Sequence, residues 1–170
     1  MKKLSLIVAL VMMSLSVFAQ VPESYKKGQM SATAGIGLAS VLGGTPLFLA
    51  AEYGYADQYG IGANLSYQSY TTGYYDVSWF LLGVGAVYHY DVLKMSNLDT
   101  YGRFGLGFAF ASLTYSGPAA FKAFSVEPTV GGIGYDAAVG ATYYFMPNLG
   151  ANVELGYGLA LLKIGVTYKM

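Results

Sequence analysis

Apolar residues alternate strictly with small or polar residues along the last part of the chain. In the segment 149–157 every odd position is apolar, namely Leu149, Ala151, Val153, Leu155 and Tyr157. The even positions carry glycine, asparagine and glutamate, and the segment 162–170 repeats the alternation. Successive side chains of a β-strand point to opposite faces, so this period predicts strands that separate two different environments.

Earlier segments of the chain show the same period. Together they predict eight strands, over residues 29–40, 46–56, 59–71, 77–90, 99–113, 131–146, 149–158 and 160–170. An even number of strands suits the closure of an antiparallel barrel. We therefore expect an all-β fold, an eight-stranded antiparallel up-and-down barrel. Tight turns are predicted at 56–58 and 146–148, and the longest connection, 114–130, lies at the opposite end.

The composition places such a barrel in lipid. Hydrophobic residues make up 55% of the chain and charged residues only 11%, whereas a water-facing surface usually needs roughly 25% charge. The uncharged stretch 28–51 is long enough for a membrane helix, but Gly43, Gly44 and Pro46 interrupt it. A chain that crosses lipid without helices must close its strands, because every backbone donor and acceptor needs a partner there.

The first residues are typical of an export signal. Lys2 and Lys3 precede an uncharged run that ends in the small-x-small sequence Val17-Phe18-Ala19. We predict a cleaved signal peptide over 1–19, a short segment over 20–28 on the periplasmic side, and the barrel over 29–170. An uncleaved helical anchor is the alternative, although the run is short for a bilayer of ~30 Å.

The two faces of the strands differ in charge as well as in size. Six titratable residues share the glycine-rich parity: Glu52, His89, Arg103, Asp136, Glu154 and Lys163. The alternative fold is a soluble, lipocalin-like barrel with its large apolar side chains around a ligand. Small residues fit the narrow interior of eight strands, whereas Arg or Lys on a lipid face costs ~2–4 kcal/mol at mid-bilayer. We therefore predict that the glycine-rich parity lines the lumen.

The charged lumen residues are predicted to neutralise one another. A turn at Gly158 and Leu159 places Glu154 opposite Lys163. We expect one network, formed by Glu52, Arg103, Asp136, Glu154 and Lys163, that plugs the lumen, with His89 as a satisfied or solvated imidazole. An ion path through the lumen is the alternative.

Aromatic residues gather on the apolar parity near the strand ends that the tight turns join. They are Tyr53, Tyr55, Tyr59, Tyr88, Tyr90, Tyr143, Phe145 and Tyr168. Amphipathic rings favour the headgroup level of a bilayer, so we predict an aromatic girdle at that end.

Over residues 27–170 the chain resembles the small OmpA/OmpX-like outer-membrane β-barrels. The resemblance is strongest in 143–150, Tyr-Tyr-Phe-Met-Pro-Asn-Leu-Gly, and in the closing segment 164–170. It implies an outer-membrane location, contact with outer-membrane lipids and lipopolysaccharide, and passage through periplasmic chaperones and the barrel-assembly machinery. Such proteins usually end in Phe as part of the assembly signal. This chain has Met170 there, and we expect Tyr168, which keeps the alternation, to serve with it.

The remaining sequence features favour a role without catalysis. There is no cysteine, and no cluster of Lys and Arg is larger than a pair, so thiolate chemistry and nucleic acid binding are not expected. No cofactor or metal site is predicted. The proteins of this fold that modify lipid act on the outer leaflet, whereas His89 is predicted near the periplasmic end.

Loops on rigid scaffolds often carry binding. A possible surface for an unknown ligand therefore includes Tyr74, Tyr75, Tyr115, Phe121, Lys122 and Phe124. We expect a structural, envelope-stabilising or adhesion-like role. A narrow pore or small-solute transporter is the alternative, and an outer-leaflet lipid-modifying enzyme is a third.

Overall fold

A computed structural model describes residues 24–40 and 43–170, so the predicted signal peptide 1–19 lies outside the described residues. Eight strands follow one another: β1 Met30–Gly37, β2 Leu47–Gly54, β3 Tyr59–Thr72, β4 Tyr75–Tyr90, β5 Leu98–Tyr115, β6 Thr129–Met146, β7 Leu149–Tyr157 and β8 Leu162–Lys169. A single helical turn, α1 Ala119–Lys122, lies between β5 and β6. Among the described residues no helix is long and apolar enough to cross a membrane.

Each strand pairs antiparallel with the next, and β8 pairs with β1. The predicted eight-stranded closed meander is therefore confirmed. Short turns at 55–58, 91–97 and 147–148 join strands at one end of the barrel, which we call the turn end. Residues 38–40 and 43–46 and the connections 73–74, 116–128 and 158–161 lie at the other end, which we call the loop end.

The register determines the tilt of the strands and the width of the lumen. The chain of paired residues runs from Met30 through Tyr53, Ile61, Ala86, Phe104 and Ala137 to Tyr157. Across the turn between β7 and β8, Ala160 then pairs with Ser40, which follows β1. Ser40 is ten residues beyond Met30, where the row of pairs began. For eight strands this stagger corresponds to a tilt of about 40° and an interior just wide enough for packed side chains.

The strands differ in length around the barrel. β3 to β6 have 14 to 18 residues, whereas β1, β2, β7 and β8 have eight or nine. β1 and β8 are shorter than the predicted 29–40 and 160–170. Beyond Gly37 the pairing continues only as separate bonds, such as Leu38 N–H to Leu162 O at 2.8 Å. The long strands therefore extend past the short ones at the loop end.

The large apolar parity faces outward. Leu82, Val84 and Phe108 are each more than half exposed, whereas His89, Asp136 and Lys163 on the other parity are buried. This arrangement contradicts the lipocalin-like alternative. An exposed band of this size and composition matches the lipid-facing surface of a membrane barrel.

Candidate functional site: the filled lumen and the loop end

His89 lies in the turn-end half of the lumen between two carboxylates. Its Nδ1 is 2.8 Å from Asp99 Oδ1, and its Nε2 is 2.7 Å from Glu52 Oε1. Ionised carboxylates only accept hydrogen bonds, and imidazole donates from both nitrogens only when it is protonated. The geometry therefore fits an imidazolium that donates to both partners. Because both ring nitrogens are engaged, His89 has no free nitrogen to act as a base.

Residues 24–29, which precede β1, cover the opening of the lumen at the turn end, which we call the turn-end mouth. The Tyr25 ring stacks on His89 with 3.5 Å between centroids and 13° between planes, and it is buried. Burial, together with the nearby Glu52 carboxylate, raises the pKa of Tyr25 well above its ordinary value. The phenol therefore stays neutral, and we call residues 24–29 the plug segment.

A second group of charges lies one level further into the lumen. Arg103 Nη2 is 2.7 Å from Asp136 Oδ2, and Arg103 Nε is 3.2 Å from Glu154 Oε1. Lys163 Nζ approaches Glu154 Oε2 at 3.3 Å, in the register that pairs the two residues. Two cations and two carboxylates thus neutralise each other, which offsets part of the cost of burying them.

The expected single network is wrong in one respect, because Glu52 joins His89 rather than Arg103. Because the strands are tilted, Glu52 lies closer to the turn end than Arg103 does, by the length of about two residues of strand. Along the barrel axis it is at the height of Tyr101. Tyr101 separates the two groups: its ring lies 5.7 Å from that of His89, and its hydroxyl donates to Glu154 Oε1 at 2.8 Å.

Three residues of this arrangement, Asp99, Tyr101 and Tyr25, were not among the predicted site residues. Asp99 stands on the inward parity at the first position of a predicted strand, so the alternation itself could have found it. Tyr25 precedes every strand, and no periodicity covers it. Its position follows from the path of the plug segment alone.

The loop-end half of the lumen is mainly apolar. Phe48, Val77, Leu81, Ala111, Leu159 and Ala160 are buried there. Gln68 is fully buried among them and accepts a hydrogen bond from Ser40 Oγ at 2.8 Å. Lys163 Nζ lies 5.5 Å from the centre of the Phe48 ring, where the charged and apolar levels meet.

A cavity of about 60 Å³ remains between the His89 group and the Arg103 group. Its walls include Ser31, Thr33, Asn64, Thr142 and Thr167. A space of this size and polarity suits a few water molecules. Side chains occupy the levels above and below it, so the described lumen is filled rather than open.

The predicted girdle residues lie on the outer surface at nearly one level. The strand register and tilt give the height of each of these eight residues along the barrel axis. The heights differ by at most about four residues of strand, or ~10 Å. Three of them form a row, with the Tyr59 ring 6.2 Å from Tyr55 and 5.2 Å from Tyr88.

A second aromatic level, which the sequence reasoning missed, lies toward the loop end. It comprises Tyr67, Phe80, Phe108, Tyr135 and Tyr157. About eight residues of strand, or ~20 Å along the barrel axis, separate the two aromatic levels. This separation is close to the height of the apolar band of membrane barrels, ~25 Å. Just above it the outward residues become Ser69, Ser78 and Ser112. The change from apolar to polar residues marks the upper edge of the lipid-facing band.

The structure separates the predicted surface residues into two groups. The Tyr115 ring lies 6.3 Å from Tyr74 and 5.5 Å from Tyr75, at the top of the long strands. Lys122 belongs to α1, beside the exposed rings of Phe121 and Phe124. Phe124 is 85% exposed, so the connection 116–128 presents apolar surface to solvent.

The long strand β6 has an unpaired edge at the loop end. In the described chain β7 pairs with β6 only from Ala137 onward, whereas β5 pairs with it from Thr129. Residues 129–136 therefore present one row of backbone groups without a neighbouring strand, and Ile133 on that stretch is 82% exposed. Such edges can accept an extended segment of another chain.

These features define the class of fold, that of the small eight-stranded outer-membrane β-barrels. No family model and no curated protein sequence matches the chain. Among solved structures it is similar to the N-terminal barrel domain of OprF from Pseudomonas aeruginosa, at 19% identity and a TM-score of 0.57, covering 85% of this chain and 98% of that one.

Two further structures show the same architecture. Ail, the attachment invasion locus protein of Yersinia pestis, in complex with the heparin analogue sucrose octasulfate, is 14% identical with a TM-score of 0.55, over 85% of this chain and all of that one. Neisserial surface protein A is 20% identical with a TM-score of 0.54, over 84% and 95%. At these identities the likeness establishes the fold.

Proposed function

We propose that the chain is a non-enzymatic outer-membrane barrel that binds an extracellular partner through its loop end. The turn end then faces the periplasm, and the aromatic girdle of eight residues lies at the inner headgroup level. The observation that carries the proposal is the contrast between a filled lumen and a loop end with an open strand edge and exposed apolar rings.

The filled lumen supports a role that does not depend on transport. Two neutralised charge groups, the plug segment and an apolar layer occupy successive levels of the lumen. A narrow pore remains the second candidate, since the cavity between the charge groups is polar. A lipid-modifying role has less support, because both nitrogens of His89 are engaged with carboxylates.

The loop end supports recognition of an apolar protein surface. Phe121, Phe124 and Val126 are all more than 60% exposed, and apolar patches of this kind typically mark interaction sites. The described residues at the loop end include Lys122 and, with the opposite charge, Asp76 near the start of β4 and Glu127, so their charge does not favour a polyanion. The attachment role named for Ail is consistent with the proposal but belongs to that protein.

The test compares two pairs of substitutions on intact cells that display the protein. Phe121→Ser with Phe124→Ser removes the exposed rings at the loop end. Val92→Ser with Leu93→Ser removes the same number of exposed apolar side chains at the turn end and serves as the matched control.

The readout is the number of cells bound to a monolayer of cultured epithelial cells. We expect at least a tenfold loss of binding for the loop-end variant and no change for the control. Equal binding by both variants, or wild-type binding no greater than that of cells lacking the protein, would refute the proposal. Heat-dependent gel migration verifies that each variant is folded.

A further inference from the structure

We propose that the plug segment is a pH-controlled closure of the turn-end mouth, held shut by the pairing of His89 with Glu52 and Asp99 and released when acid breaks that pairing. The inference concerns the opposite end of the barrel from the binding surface. It does not depend on the proposed adhesion-like function.

The plug segment is held by a small number of contacts. Gly28 N–H donates to Gly54 O at 2.6 Å, and Gly54 N–H donates to Gln29 O at 2.9 Å. At its other end, Lys169 Nζ donates to Ser24 O at 2.8 Å. The segment adds no strand to the barrel, so it can leave without breaking the ladder that closes β1 on β8.

Gly54 shows how closely the plug segment passes the barrel wall. A Cβ built on Gly54 would lie 2.7 Å from Lys26 O and 2.9 Å from Tyr25 Oη, too close for real atoms. Glycine at this position therefore leaves the room in which Tyr25 enters the mouth. Tyr25 and Ser24 are both buried as a result.

The contact between the plug and the barrel wall depends on charge. Tyr25 covers His89, whose imidazolium lies between Glu52 and Asp99, and an aromatic face attracts a cation. Lys169 lies 3.4 Å from the centre of the Tyr144 ring on the same side. The groups of the barrel that face the plug are thus Glu52 of β2, His89 of β4, Asp99 and Tyr101 of β5, Tyr144 of β6 and Lys169 of β8. The exposed Lys26 of the plug itself lies near enough to Lys169 to repel it.

Acid changes the balance of charge among the groups that face the plug. The ionised Glu52 and Asp99 neutralise the two cations of the barrel wall, His89 and Lys169. Where acid breaks these pairs, the charges of His89 and Lys169 remain without counter-ions in a largely buried mouth. The charge-assisted hydrogen bonds that order His89 are lost at the same time, and the surface on which Tyr25 stacks loses its fixed position.

Release of the plug would widen the path between the 60 Å³ cavity and the solvent at the turn end. The ion pairs of Arg103 and the apolar layer around Leu81 remain above the cavity. The opened space is therefore a vestibule with one mouth rather than a channel.

A single-cysteine experiment tests this closure, because the chain contains no cysteine. Ser31→Cys places a nearly isosteric thiol on the cavity wall, and Ser96→Cys places one on the exposed turn 91–97. The reagent is methyl methanethiosulfonate, which is small and uncharged. The modification rate of the Ser31→Cys protein is divided by that of the Ser96→Cys protein at each pH, so that the common effect of pH on thiol reactivity cancels.

We expect this ratio to rise at least tenfold between pH 7.5 and pH 4. Adding Tyr25→Ala to the Ser31→Cys protein should raise the ratio by a similar factor at pH 7.5, whereas adding Tyr74→Ala, at the loop end, should not. Asp99→Asn, which mimics the protonated carboxyl, should open the mouth at pH 7.5.

Three results decide against the closure: a ratio that does not change with pH, a Tyr25→Ala variant that reacts no faster, or an Asp99→Asn variant that stays shut while folded. Heat-dependent gel migration monitors folding at both pH values. If Asp99→Asn does not fold, the pH comparison and the Tyr25 variant, which alters no strand, still decide.

Discussion

Glu154 and Lys163 face each other across the β7–β8 hairpin inside the lumen, and 3.3 Å separates Glu154 Oε2 from Lys163 Nζ. The same carboxylate lies 3.2 Å from Arg103 Nε and accepts a hydrogen bond from the Tyr101 hydroxyl. One side chain thus holds two cations and joins β7 to β8 and β5. The consequences of removing it follow from its burial.

Replacing Glu154 by Ala should destabilise the barrel by about 3–5 kcal/mol, because Arg103 and Lys163 would share a single buried carboxylate. The free energy of unfolding by urea in lipid vesicles measures the effect. Glu154→Ala combined with Lys163→Met removes one charge of each sign and should recover a large part of the loss. A double variant no more stable than the single one would contradict the pairing.

A charged residue on the outward face of the strands should lower the stability of the barrel only where it lies between the two aromatic levels. Val84→Arg, near the middle of the band, should destabilise the folded protein by about 2–4 kcal/mol, whereas Ser69→Arg, above the upper level, should cost about 0–1 kcal/mol. Unfolding in vesicles compares the two. Equal costs would mean that the band between the aromatic levels is not the lipid-facing surface.

Glycines of the two parities should respond differently to an added methyl group. A Cβ on Gly35 would lie 2.6 Å from Gly165 Cα and 2.7 Å from Phe48 Cε1, whereas a Cβ on the outward Gly102 would meet nothing within 4 Å. We expect Gly35→Ala to destabilise by about 1–3 kcal/mol and Gly102→Ala to be neutral or slightly stabilising. The urea midpoint checks both, and a neutral Gly35→Ala would be inconsistent with a close-packed lumen.

The filled lumen predicts the electrical behaviour of the protein. In planar bilayers the wild type should show no steady large conductance. Tyr25→Ala should also remain closed to ions, because the Arg103 group and the apolar layer still occupy the lumen. Single-channel recording is the measurement, and a steady open level in the wild type would instead support the pore hypothesis.

The sequence alone predicted the closed barrel and the parity that lines it, because a strand exposes its side chains with a period of two and lipid accepts only one of the two faces. Lys163 and Glu154 could be paired in advance, since a short turn determines which positions of a hairpin oppose each other. The girdle positions were likewise readable as aromatic residues near strand ends.

Only the tertiary structure decided which lumen residues meet across the barrel. The partner of Glu52 depends on the strand stagger, a property of the closed ring that no single hairpin reveals, and it placed Glu52 beside His89 rather than Arg103. Tyr25 lies in a segment without periodicity, and its stacking on His89 depends on hydrogen bonds to Gly54 that are distant in the chain. Local alternation therefore determines the face on which a side chain lies, whereas the global register and the path of the plug determine its neighbours.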